Sequence, residues 1–398
     1  MPRFEPFQGL RYDPDLVDLA AVTAPPYDVI DDQQRAELAG RDPHNVVRLD
    51  LPVDENGVDR YQVACRLLRQ WRDERVLLLD EEPSYYVYRM GYHDEGGRPR
   101  QTAGVIGALE LSKPGEADIL PHEHTTPKAK SDRLNMLRSC RANLSAVWGL
   151  SLAAGLSGLC ELPGPPMARW TDDDGVHHRL WQITEPGVVA AISETVASAP
   201  VVIADGHHRY ETSLAYRDER RAEAGGAAGP YDLAMAYVVE LVEAQLTVRP
   251  IHRLITGLPE GFDLVEALTP FFEPFDAGPA GETLPARMAD AGALALVLPD
   301  ATWLLHPRPE AMGDAEDLDS SRLDLALAAL PPHELVFQHG VDNVLRLVDK
   351  GEAQAGVLLR PASVAQIAAT AHQRRRMPPK TTFFHPKVAT GLVFRLLD

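Results

Sequence analysis

The apolar, β-branched run Pro200-Val201-Val202-Ile203-Ala204 stops at Asp205-Gly206, and the residues from there to about Ala224 have helical composition. This reads as a buried strand, a tight turn and a helix, an arrangement that fixes an α/β unit in the middle of the chain. Such a turn places backbone N–H groups and the positive end of the helix dipole at the strand's carboxyl edge, where an anion is stabilised. Here it carries Asp205, Gly206, His207, His208 and Arg209. Arg209 can grip phosphate oxygens bidentately, either histidine can move a proton or donate a hydrogen bond, and Asp205 can cap the helix or hold a metal. The plain alternative is an N-cap, a permissive glycine and three side chains turned to water. Two adjacent histidines followed by an arginine directly after an apolar strand favour a functional loop.

With 398 residues the chain is too long for one simple core, and two packed subdomains are expected. The small, flexible stretch Gly225-Gly226-Ala227-Ala228-Gly229-Pro230 is the hinge candidate, dividing an N-terminal part (1–229) that holds the phosphate site from a C-terminal α/β part (230–398). Gly278 to Gly281 offers a second linker. A hydrophobic fraction of 45% and a charged fraction of 24% argue against long disorder. The formal net charge of −19 repels a polyphosphate backbone, so broad nucleic-acid binding is not expected. Three cysteines, Cys65, Cys140 and Cys160, form no CxxC pattern, which fits a reducing cytoplasm. No leader-like segment opens the chain and no apolar run is long enough to span a bilayer, so a cytoplasmic protein without a membrane partner is expected.

Elsewhere the pattern predicts helices over about Asp31 to Ala39, Arg60 to Arg75 and Ser131 to Arg141, and a hairpin joining Ser84–Met90 to Thr102–Leu109 through Gly96-Gly97. Leu156 to Asp174 reads as a surface excursion, and strand character resumes at His178 to Ile183. Buried strands are expected at Leu233–Leu241 and Gln245–Arg249, with helices near Leu323–Ala329, Val341–Lys350 and Val364–His372. The arginine-rich run Arg217 to Arg221 reads as a solvated helix face.

A second constellation spans Pro121 to Asn143. From Lys128 to Arg141, Lys128, Lys130, Arg133, Arg138 and Arg141 against Asp132 leave +4 in an otherwise acidic chain, which points to an anion. Lys128, Arg133 and Arg141 are therefore candidate phosphate ligands. His122, Glu123 and His124 have ligand chemistry without the i, i+4 histidine spacing of a zinc hydrolase, so Glu123 is read as a general acid or base. A solvated loop followed by an amphipathic helix explains the segment equally well. Ala24-Pro25-Pro26-Tyr27-Asp28 is a stiff turn that presents a carboxylate, and His44-Asn45 and Arg48 follow one helix later. Asp28 is a candidate metal ligand and Arg48 a candidate phosphate ligand. Met377 to Lys387 combines two lysines, two threonines and a histidine in a proline-stiffened strand, and Pro250-Ile251-His252-Arg253 reads as structural.

Ala24–Ile30, His44–Leu49, His122–Thr125, Ala204–Glu211 and Met377–Lys380, in that order, resemble the bacterial and archaeal family of domain of unknown function 1015. The Asp-Gly-His-His-Arg turn is similar to that of the ParB/sulfiredoxin superfamily, whose members bind nucleotides and include free-serine kinases. The resemblance implies a mixed α/β (α+β) fold with a ParB/sulfiredoxin-like core and a second α/β subdomain. Family members encoded beside serine-biosynthesis enzymes imply serine or phosphoserine as the small molecule. The expectation is a phosphotransfer enzyme, serine kinase or phosphoserine phosphatase. Arg209, Lys128, Arg133, Arg141 and Arg48 would bind phosphate, Mg²⁺ would sit at Asp205 or Asp28, and ATP or ADP would be the nucleotide of a kinase. Glu123 would act as base, with Asp205, His207 and His208 completing the catalytic set. A CTP- or ATP-binding regulatory or scaffold protein without turnover is the alternative. A ParB-type DNA binder is disfavoured by the acidic balance and by the lack of a helix-turn-helix pattern.

Overall fold

The computed structural model describes residues 1–94, 96–113, 115–116, 118–121, 130–162, 164–313 and 315–398. They form a mixed α/β protein that divides into two compact units, 1–247 with 386–398, and 248–385. The 225–230 stretch, expected to separate two subdomains, lies inside the first unit. It carries the chain from the helix His207–Glu223 into the strand Leu233–Glu240, whose residues are all buried and which is paired on both sides. Glycine-rich composition marks the end of a helix as readily as a linker, and here it does the former.

The first unit is built on a nine-stranded sheet. Its order is Ile119–Pro121, Val201–Asp205, Val147–Ser151, Leu233–Glu240, Pro99–Glu110, Tyr85–His93, His177–Ile183 and Ala168–Thr171, with Phe4–Glu5 also pairing with Pro99–Glu110. The predicted hairpin is present in antiparallel register, with Tyr86 opposite Ile106 and His93 opposite Pro99. Val201–Asp205 is parallel to Ile119–Pro121 and antiparallel to Val147–Ser151. Burial on both faces explains its unbroken β-branched run. The helix His207–Glu223 is anchored through Tyr210, which belongs to the same buried cluster as Val201 and Ile203 and whose hydroxyl accepts from the Ser112 backbone N–H at 2.9 Å.

A smaller antiparallel sheet joins Leu77–Leu79, Gly9–Tyr12, Phe394–Leu396 and Ala142–Asn143, and so returns the end of the chain to the first unit. Tyr12, Trp71 and Phe394 pack beneath it with Val46, Val47 and Leu49. Two local expectations change. The 156–174 stretch is not all surface: Leu156 and Cys160 are fully buried and Ala168–Thr171 is an edge strand. Arg217 is not solvated either. It is 5% exposed and donates to the Leu111 carbonyl while pairing with Asp218 at 2.8 Å. A guanidinium can enter a helix–sheet interface when carbonyl and carboxylate acceptors meet its donors.

The second unit is a six-stranded antiparallel sheet in the order Phe272–Asp276, Thr302–Pro307, Leu294–Val297, Ala355–Leu358, His252–Thr256 and Glu334–Gln338. Helices Asp319–Leu327, Val341–Asp349 and Val364–His372 accompany it, and the last opens with a capping box between Ser363 and Gln366. His252 and Arg253 are structural, as expected from sequence: both are buried, and His252 Nδ1 accepts from the Leu359 backbone N–H at 3.2 Å. Burial pushes the His252 imidazole from 6.5 down to about 4. Its folded-state pKa is the lower one, so its contribution is intact above 6.5 and is lost as pH falls toward 4, because only the unfolded chain takes up the proton. We expect this group to remove on the order of 3 kcal/mol across that window. His252→Gln, which still offers an acceptor to Leu359, should lose correspondingly less in urea titrations at the two pH limits; equal losses would show that the histidine does not carry the effect. No helix among the described residues is long and apolar enough to cross a membrane.

Candidate functional site

The register of Val201–Asp205 against Val147–Ser151 slips between Ile203 and Asp205, so that Asp205 stands opposite Trp148. A bulge of this kind re-aims the last side chain of a strand. Gly206 follows at φ 83° and ψ 28°, in the left-handed region, and turns the chain into a 17-residue helix with no side-chain cap on its first N–H groups. An added Cβ at Gly206 would lie 2.8 Å from Arg209 Nε. Gly206→Ala is therefore expected to cost about 1–2 kcal/mol of stability, from the left-handed backbone alone. It should also push Arg209 out of place; an unchanged urea midpoint would contradict this.

Arg209 lies one turn into the helix. Its Nη2 donates to Asp205 Oδ2 at 2.8 Å and its Nη1 to the Ala146 carbonyl. The other Asp205 oxygen accepts from Lys387 Nζ at 2.7 Å, 182 residues away in sequence. All three side chains are largely buried, at 19%, 11% and 15% exposed for Asp205, Arg209 and Lys387. Burial alone would raise the Asp205 pKa, but the charges of Lys387 and Arg209 outweigh it and hold the carboxyl well below the usual carboxylate range. His207 adds a smaller effect in the same direction. Burial opposes the charge of Arg209, and Asp205, Asp28, Tyr27 and Asp50 together more than restore it.

Those last residues form the adjoining wall. Tyr27 and Asp28 lie on a single 3₁₀ turn, and Arg133 stacks over the Tyr27 ring at 4.2 Å. Arg133 also reaches Asp50 Oδ1 at 3.0 Å and Asp132 Oδ2 at 2.6 Å. Antiparallel bridging of Ala24 with Thr390 ties the Tyr27 turn to the segment that supplies Lys387. The result is a group of alternating charges contributed by five separate stretches of the chain, largely buried at Asp50, Arg133, Asp205, Arg209 and Lys387 and exposed at Asp28.

The structure thus brings together Asp28, Asp205, Arg209 and Arg133, with His207 and His208 at the start of the same helix. His208 Nδ1 is buried and has no hydrogen-bond partner among the described residues. Arg141 is placed elsewhere: it follows the helix Lys130–Cys140 and meets Asp398 at 3.5 Å. Arg48 donates to the Ala39 carbonyl at 2.7 Å and lines a separate cavity with Arg35 and Glu55. Glu123 and Lys128, with His122 and His124, lie outside the described residues. Lys387, Asp50 and Tyr27 were not singled out as site residues from sequence. Lys387 was visible only as one of two lysines in a proline-stiffened strand.

The two residues suggested for Mg²⁺ are placed differently, Asp28 exposed on its 3₁₀ turn and Asp205 enclosed at a strand end. Both Asp205 oxygens are already held by cations, and no group of three or more His, Cys, Asp or Glu among the described residues is arranged to hold a metal ion.

Residues 4–331 match the family model described as protein of unknown function DUF1015. The chain belongs to this family. Met377–Lys380, part of the sequence resemblance, lies beyond the matched residues. No curated protein matches the chain. Among solved structures it is similar to a free serine kinase in complex with AMP, with 12% identity, coverage of 67% of this chain and 83% of that one, and a TM-score of 0.37. It is also similar to C-terminally truncated SbnI from Staphylococcus aureus, with 11% identity, coverage of 72% and 86%, and a TM-score of 0.39. A conserved hypothetical protein from Pyrococcus furiosus gives 12% identity, coverage of 70% and 92%, and a TM-score of 0.37. Likeness at this level does not transfer chemistry from one chain to another.

Proposed function

We propose that the Asp205 turn is the phosphoryl-handling centre of an enzyme that moves a phosphoryl group to or from free serine. The observation that carries this reading is the convergence of Arg209 and Lys387 on one buried carboxylate at the open N-terminus of a long helix. A phosphate entering there meets two cations and the first N–H groups of a helix without a side-chain cap, and phosphoryl transfer is catalysed mainly by such positioning and charge neutralisation. By drawing Lys387 and Arg209 toward its own oxygens, the phosphate would loosen their hold on Asp205 and raise its affinity for a proton.

In the synthetic direction Asp205 would accept the proton of the serine hydroxyl as Oγ bonds to the terminal phosphorus of a nucleotide. The bond to the bridging oxygen breaks and its electron pair leaves with the nucleotide. In the hydrolytic direction a water attacks phosphorus and gives up a proton to Asp205, the Oγ–P bond breaks, and the serine oxygen takes a proton from His207 or His208. Glu123 is the alternative base and Lys128 a further phosphate ligand. Mg²⁺, in this reading, comes with the phosphates of ATP or ADP rather than from a carboxylate cage. Phosphoserine binding by phosphorus NMR line broadening tests the site directly. We expect saturable binding that inorganic phosphate competes away and that Arg209→Ala weakens at least tenfold. Binding indifferent to both would remove the Asp205 turn from the function.

A further inference from the structure

Asp50 ends the short helix Val47–Asp50 and is 5% exposed. Its Oδ1 accepts from Arg133, but its Oδ2 is buried with no hydrogen-bond partner among the described residues. An ionised carboxylate oxygen in a protein interior ordinarily accepts a donor, and an orphan is a mark of function as much as of imperfect packing. Asp50 lines a cavity of about 50 Å³ together with Arg133, Ser145, Arg209 and Thr212. On that measure one water needs about 10–15 Å³, so the space is ample for a small polar group such as an ammonium. Arg133 and Arg209 favour the ionised form of Asp50, and Asp28 and Asp132 oppose it more weakly. Burial raises the Asp50 pKa, so the carboxyl gains from one more cationic donor.

We propose that Asp50 Oδ2 receives the ammonium group of the substrate and so restricts the site to a free amino acid. An ammonium supplies up to three donors and a positive charge in a volume the cavity can hold. Arg209 lines the same cavity and also reaches Asp205, so a ligand with its phosphate at the Arg209 end and its ammonium a few covalent bonds away spans the two. This rests on the reading of the Asp205 turn as a phosphoserine site.

The test compares binding of phosphoserine, 3-phosphoglycerate and inorganic phosphate to the full-length chain by phosphorus NMR. The L enantiomer of 3-phosphoglycerate, used for this comparison, carries a hydroxyl where L-phosphoserine carries its ammonium and is otherwise the same shape. We expect phosphoserine to bind at least tenfold more tightly than 3-phosphoglycerate. Asp50→Asn, which keeps an acceptor for Arg133, should erase the preference and leave inorganic phosphate binding within twofold. Equal binding of the two organic phosphates by the unmodified protein overturns the proposal without needing any variant, and so does a preference that survives in Asp50→Asn. If phosphate and 3-phosphoglycerate bind but phosphoserine gains nothing, only the role of Asp50 falls. If none of the three binds, the phosphate site falls with it.

Discussion

Arg209→Ala is expected to lower turnover of phosphoserine or serine by roughly 10²–10³-fold, about 3–4 kcal/mol of transition-state stabilisation, the loss typical of removing one preorganised charge-stabilising donor. The guanidinium is forked between Asp205 and the Ala146 carbonyl and is 11% exposed, so it is fixed before any ligand arrives. Arg209→Lys should recover only part of the activity, because an ammonium restores charge but not the planar fork. Lys387 stays on Asp205 in both variants, so the fold should survive, as circular dichroism and urea unfolding would show. Near-normal turnover in a folded Arg209→Ala protein would exclude the assigned role.

Lys387→Met is expected to destabilise the protein by about 2–3 kcal/mol at neutral pH, since it strips one of two cations from a buried carboxylate. Asp205→Asn in the same chain should restore much of that loss, and the double-mutant cycle isolates the pair. The pH dependence has a definite sign. Asp205 has its pKa lowered on folding, so its stabilisation is present above the ordinary carboxylate range and disappears as pH falls through the lowered value. The gap between Lys387→Met and the unmodified protein should therefore narrow in strong acid. A gap that is constant with pH, or additive effects in the cycle, would mean that the two side chains do not act as a pair.

Much of the fold was legible because local pattern and tertiary burial agree. The run Val201–Ala204 is apolar because both faces of its strand are covered, and the Asp31 cap, whose side chain accepts from Gln34 N–H at 2.8 Å, opens a helix close to where it was expected. Misreadings arose where composition has two physical meanings. Glycines at 225–229 end a helix rather than divide domains, and Arg217 is buried although its neighbours in sequence suggest a wet face. Asp205 and Arg209 could be paired from their i, i+4 spacing. Lys387 could not, because no local rule brings it to a strand end 182 residues earlier. Arg141 and Arg48 shared the charge of the expected phosphate ligands, but charge alone does not tell which cations the chain turns inward.

The most direct measurement is phosphorus NMR of the purified protein with Mg²⁺, incubated with phosphoserine alone and, separately, with serine and ATP or ADP. Release of inorganic phosphate from phosphoserine, or nucleotide-dependent formation of phosphoserine, is the predicted result, and its loss in Arg209→Ala would assign it to the Asp205 turn. Saturable nucleotide binding with unchanged serine and phosphoserine in every sample would contradict the enzyme and leave a nucleotide-binding regulatory protein in its place.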